Sequence, residues 1–131
     1  YRFENFKDIG SKYREYLVRG CRDDNNNAHS WQVPRQYKEG NDTFWVQASM
    51  SKPSVPDSMY YGYAEISANF EENKSYMLNR QRNGFNVSIW VQEVDTGIVV
   101  SNTVKTTYKP ELINENKRRQ EICGYVPKAT F

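Results

Sequence analysis

Little in this sequence is suited to holding a metal or a charged polymer. Its 131 residues include one histidine and two cysteines, which leaves a tetrahedral zinc site short of ligands. The histidine, His29, lies in an Asn-rich loop, whereas a Ser or Cys triad needs a base that is held and oriented. Charge of one sign is scarce too. Eighteen basic and 16 acidic residues leave a net +2, too balanced to argue for nucleic acid or an anionic membrane. The one basic cluster, "NKRRQ" at 116–120, reads as a solvated terminal segment. No run approaches the roughly 20 apolar residues of a membrane span, and neither a signal peptide nor an internal repeat is visible. The chain opens "YRFENF" without Met. That start reads as a mature or trimmed piece, with any targeting or lipid-anchoring segment upstream.

What is present is aromatic. Mean hydropathy is −0.91 and apolar content 37%, yet 15% of residues are aromatic, with ten tyrosines and three tryptophans. Disordered chains lack such residues, so a folded domain with a core of aromatic and β-branched side chains is expected. The cysteines, Cys21 and Cys123, bracket most of the chain. In an oxidising compartment they would pair, closing a loop whose cross-link is worth roughly 4–5 kcal/mol in the chain-entropy model. Two buried free thiols in a cytosolic protein are the alternative.

Period-2 patterning dominates. "KYREYLVRGC" reads as a strand ending at Gly20. In "TFWVQASM", Phe44, Val46, Ala48 and Met50 share a face. In "YYGYAEISANF", Tyr60, Gly62, Ala64, Ile66, Ala68 and Phe70 form the side suited to packing. "EENK" reads as a hairpin turn into "SYMLNR", which places Tyr76 with Leu78, and "FNVSIWVQEV" places Phe85, Val87, Ile89 and Val91 together. "IVVSNTVKTT" follows the "DTG" turn. Asn83-Gly84 is a strong hairpin signal. Residues 1–12 read as a helical turn or an extended arm. "PELINENKRRQEI" is a helix candidate with Pro110 at its first position. The expected fold is all-β: a small antiparallel sandwich of about six or seven strands, with a short helix near the C-terminus.

Motifs for chemistry are few. "DTG" at 95–97 matches the aspartic-protease signature, but Ile98 follows where that family has a small or hydroxyl residue, and turn chemistry accounts for Asp95 and Gly97. "DDNNN" at 23–27 lacks the offsets of a calcium loop. Glu71, Glu72, Glu111 and Glu115 fall in turns or the tail rather than in a cleft. Asn41, Asn73 and Asn86 begin N-x-S/T triplets. No cofactor is expected. One constellation remains: Trp45, Tyr61, Tyr63 and Trp90 all fall on the outward, polar faces. If their strands are neighbours they form an exposed aromatic patch, for protein or for sugar rings. The alternative is that the N-terminal arm, the tail or a loop covers them.

The order of features resembles a known group. "EGNDTFWVQASMS", "AEISANFEENKSYML" and "VSIWVQEVDTGIVVS", within residues 40–101, are similar to the strands and turns of small Gram-negative periplasmic lipoproteins with a transthyretin-like or PEGA-like β-sandwich. The resemblance implies a periplasmic domain, anchored to the outer membrane through an upstream cysteine, and no activity. Some such proteins are accessory parts of secretion, pilus or flagellar assemblies. The expectation is a non-enzymatic component of a larger hetero-assembly that binds other envelope proteins through its aromatics and exposed strand edges. A glycan- or peptidoglycan-binding module is the second expectation. A DTG protease is a distant third.

Overall fold

The computed structural model describes residues 1–10, 12–20, 33–52, 59–111 and 115–123. Cys21, the loop with His29 and "DDNNN", and the Cys123 side chain lie outside the described residues, and the expected disulfide with them.

Ten strands and one helix follow in chain order: β1 (Arg2–Glu4), β2 (Phe6–Ile9), β3 (Arg14–Arg19), β4 (Arg35–Gln36), β5 (Gly40–Ser51), β6 (Met59–Phe70), β7 (Ser75–Asn83), β8 (Asn86–Glu93), β9 (Val104–Thr107), β10 (Lys109–Pro110) and α1 (Glu115–Cys123). They form a sandwich of two five-stranded sheets. The first runs β4-β1-β7-β8-β9 and the second β10-β6-β5-β3-β2. All pairings are antiparallel except β1 with β7. The six segments with strand periodicity are all present. The four further strands, β1, β2, β4 and β10, have only two to four residues, too short to show a period. The N-terminal segment is extended, not helical.

The chain passes between sheets twice with only one residue between strands. At Asn5 it leaves β1 in the first sheet for β2 in the second. At Tyr108 it leaves β9 for β10. Both crossings are tied inward. Asn5 Oδ1 accepts from Arg19 N at 2.9 Å, and Tyr108 is 3% exposed.

The core is built from the expected faces. Val46, Ala48 and Met50 of β5 meet Ala64, Ile66, Ala68 and Phe70 of β6, with Tyr76, Leu78, Val87, Ile89 and Val91 opposite. Gly62 has a specific reason to lack a side chain. A Cβ there would sit 3.0 Å from Thr106 Cγ2 and 3.1 Å from Thr107 O, so its absence lets β9 cross close over β6.

Three local expectations need correction. The β7–β8 turn is centred on Gly84 and Phe85, with Asn83 paired to Asn86. Only Gly84 has a positive φ, 62°, as a two-residue turn with Gly first requires. Phe85 therefore leaves the core face, lies 44% exposed and packs on Tyr60 at 5.3 Å. "EENK" joins β6 to β7 across the two sheets and is not a hairpin turn. Pro110 does not start the helix. It ends β10, paired with Tyr60, an edge position where a missing N–H is harmless; α1 begins at Glu115.

The interlayer carries charge at both ends. The Arg19 guanidinium carbon lies 3.8 Å from the Tyr37 ring centre and 4.1 Å from that of Phe44. It pairs with Asp42 and donates to Tyr1 Oη at 2.6 Å. Burial raises the Tyr1 hydroxyl above its ordinary pKa, with Arg19 opposing. At the other end, buried Glu15 accepts from Arg80 Nη2 at 2.7 Å and lies 3.2 Å from Arg82 Nε. Tyr108 Oη donates to it at 3.3 Å. Burial, and then the Glu15 carboxylate, push the Tyr108 hydroxyl far above its ordinary value.

Candidate functional site

The four aromatics singled out from the sequence do not form one platform. Trp45, Tyr61 and Tyr63 lie on the outer face of the second sheet, on β5 and β6. Trp90 lies on β8, on the outer face of the first. The sandwich separates them because alternation places a residue on a face but not on a sheet.

Tyr61 and Tyr63 are also covered. They are 4% and 9% exposed, and Gln47 and Ser49 beside them are buried. Helix α1 lies against this side of β5. Tyr63 Oη donates to Glu115 Oε2 at 3.4 Å, and the Arg118 guanidinium stands 5.0 Å from the Tyr63 ring centre. Glu115, read from sequence as a solvated tail residue, is 2% exposed. The polar sequence of α1 hides this role, since a tyrosine face can be covered by ion–ring and hydrogen-bond contacts as well as by apolar ones.

The outermost strand at each sheet edge is short, with two or four residues. β10 pairs only with Tyr60 and Tyr61 of the 12-residue β6, and β1 only with Ser75, Tyr76 and Met77 of β7.

What does protrude is the turn after β8. "DTG" closes a tight connection in which Gly97 N donates to Glu93 O at 3.0 Å and Glu93 N to Ile98 O at 2.9 Å. Gly97 takes φ 74°, a left-handed conformation that suits glycine. Thr96 Oγ1 donates to Glu93 Oε2 at 2.7 Å and accepts from Ile98 N at 3.1 Å. Lys74 Nζ reaches both Glu93 and Glu71 at 2.8 Å. Hydrogen bonds from Lys74, then Thr96, hold the Glu93 carboxyl below its ordinary range. The hydrogen bonds it donates to Glu71, then to Glu93, hold the Lys74 ammonium above its own. Asp95 is exposed in this turn, whose bonds come from Glu93, Thr96, Gly97 and Ile98.

On this braced turn sit three exposed β-branched side chains: Val94 at 37%, Ile98 at 59% and Val99 at 49%. Turns are usually built of Gly, Pro, Asn, Asp and Ser. Three apolar side chains there expose surface that solvent does not favour. The sequence held the signal as "VDTGIVV", but a strand reading had absorbed its apolar residues.

Among the described residues, no cluster of His, Cys, Asp and Glu could hold a metal ion, and no helix is long and apolar enough to cross a membrane. Asn41, Asn73 and Asn86 are all exposed. The chain matches no family model, no curated protein and no solved structure.

Proposed function

We propose that this chain is a non-enzymatic protein-docking module of the bacterial cell envelope, with the turn carrying Val94, Ile98 and Val99 as its contact point. The observation that carries this reading is the pairing of exposure with rigidity. The three side chains sit on a turn fixed by main-chain bonds, Thr96 and the Lys74–Glu93–Glu71 ion pairs. A preorganised apolar knob costs little entropy on binding, and burying it in a partner's pocket is favourable.

The envelope setting rests on the resemblance of residues 40–101 to small periplasmic lipoprotein domains, with which a two-sheet sandwich agrees. In that setting the module would act within a hetero-assembly on the periplasmic side of the outer membrane, tethered through an upstream anchor. Cys21 and Cys123 would pair in that oxidising compartment.

The test is a double substitution, Ile98→Asp with Val99→Asp, compared with wild type for what co-purifies from native membranes. Specific partners are expected to be lost while the unfolding midpoint stays within a few degrees, because both side chains face solvent. An unchanged partner set would overturn the reading. Asp95→Asn should leave every phenotype intact; loss of a proteolytic activity would return the protease reading.

A further inference from the structure

We propose a second, independent site: the outer face of the first sheet, around Trp90, binds a neutral, hydroxyl-rich saccharide chain. The face is read from the pairing register. Asn79 stands opposite Trp90, Gln81 opposite Ser88, and Asn83 opposite Asn86. Ser88 stands in turn opposite Lys105, and Asn86 opposite Thr107.

Trp90 is half-buried and fixed. Its Nε1 donates to Gln92 Oε1 at 2.9 Å, and Asn79 Nδ2 donates to the same oxygen at 3.0 Å. Asn79 Oδ1 accepts from Arg80 N at 2.8 Å. The indole is therefore tethered at its polar edge to the sheet. A ring held in this way offers a preset surface for the C–H face of a pyranose, at little ordering cost on binding.

Farther along β8 lies a cleft of about 490 Å³ lined by Gln81, Asn83, Asn86, Ser88, Lys105 and Thr107. Among the described residues, the side chains of Gln81, Asn83, Ser88 and Lys105 have no hydrogen-bond or ion-pair partner. Amides and hydroxyls both donate and accept, as sugar hydroxyls do. The cleft has one charge, Lys105, so its complement is neutral rather than polyanionic. Its nearest β8 residue, Ser88, lies two positions from Trp90 on the same face, a spacing that suits an elongated ligand with one ring on the indole and the next over the amides. A protein partner is less well matched, because this cleft is lined mainly by polar side chains.

The full chain is titrated with cellotetraose and with chitotetraose, following the Trp90 indole N–H and the Asn79 side-chain amide by NMR. Saturable shifts at these groups are expected with at least one probe. Trp90→Ala should weaken binding tenfold or more, and Gln81→Ala about threefold. Gln81 is exposed, so its variant keeps the test valid if Trp90→Ala misfolds. A sulfated oligosaccharide should bind no better than the neutral probes. No shift at these groups at millimolar probe, binding unchanged in both variants, or a clear preference for the sulfated chain would each overturn the proposal. The knob substitutions at Ile98 and Val99 should leave these titrations unchanged, which separates this site from the docking turn.

Discussion

Glu15 and Arg19 leave β3 on the same side, flanking buried Leu17, and carry opposite charges to the two ends of the interlayer. Glu15 is met by Arg80 and Arg82 of the facing sheet and by Tyr108, whereas Arg19 is met by Asp42 and the Phe44 ring of the neighbouring β5 and by the Tyr37 ring. The Glu15 ion pairs thus tie the two sheets together at one end of a compact apolar centre.

Removing the Glu15 carboxylate should be costly. Glu15→Ala leaves the largely buried Arg82 without its carboxylate and Arg80 with only the half-exposed Asp8 as counter-charge. Breaking a buried pair in this way costs about 3 kcal/mol, or roughly 10 °C in unfolding midpoint for a domain of this size. Thermal unfolding checks it, and a loss below about 1 kcal/mol would mean the network is solvated.

Gly62→Ala should destabilise by roughly 1–3 kcal/mol through overpacking against β9. Adding Thr106→Ser should recover only part of the loss. It removes the Cγ2 contact at 3.0 Å but leaves Thr107 O at 3.1 Å from the new Cβ. Denaturant midpoints of the single and double variants decide this; full recovery would show that the backbone of β9 yields freely.

Tyr63→Ala should lower stability by about 3 kcal/mol and speed amide exchange in α1, because the ring lies under Glu115 and Arg118. Partner binding should not follow Tyr63 at conditions where the variant stays folded. Lost binding in a folded Tyr63→Ala protein would make this face, not the turn, the docking surface.

The docking turn should loosen in acid. Glu93 has a lowered pKa, so its contribution is fully present above the ordinary carboxylate value. It is lost as pH falls through the lowered one. Lys74 is raised, so its contribution is present below the ordinary amine value and lost only at strongly alkaline pH. The turn is therefore braced across the neutral range. Hydrogen exchange at Gly97 and Ile98, corrected for intrinsic rates, should rise below about pH 4, and Lys74→Met should reduce that step to the part that Thr96 carries. A flat profile in wild type would contradict the bracing.

The sandwich was legible because β5, β6 and β8 each alternate over eight residues or more, and the small side of β6 marks where another strand comes close. Less was legible where single residues decide. In "REYLVR" the inward face is Glu15, Leu17, Arg19, while the outward Tyr16 and Val18 look more apolar; only the facing charges explain the choice. The separation of Trp90 from Trp45 was hidden too, since sheet membership depends on which strands pair, not on their period. The covering of Tyr61 and Tyr63 was left open by the sequence because α1 has almost no apolar stripe. The turn was half legible: "DTG" marked it, but the meaning of Val94, Ile98 and Val99 needed their exposure.

The most direct measurement of the docking claim places a photo-crosslinking amino acid at position 98 and, as a control, at exposed position 9 in native membranes. A discrete crosslinked partner is expected from position 98, abolished by adding Val99→Asp and absent from position 9. Equal or no crosslinking at the two positions would contradict that claim.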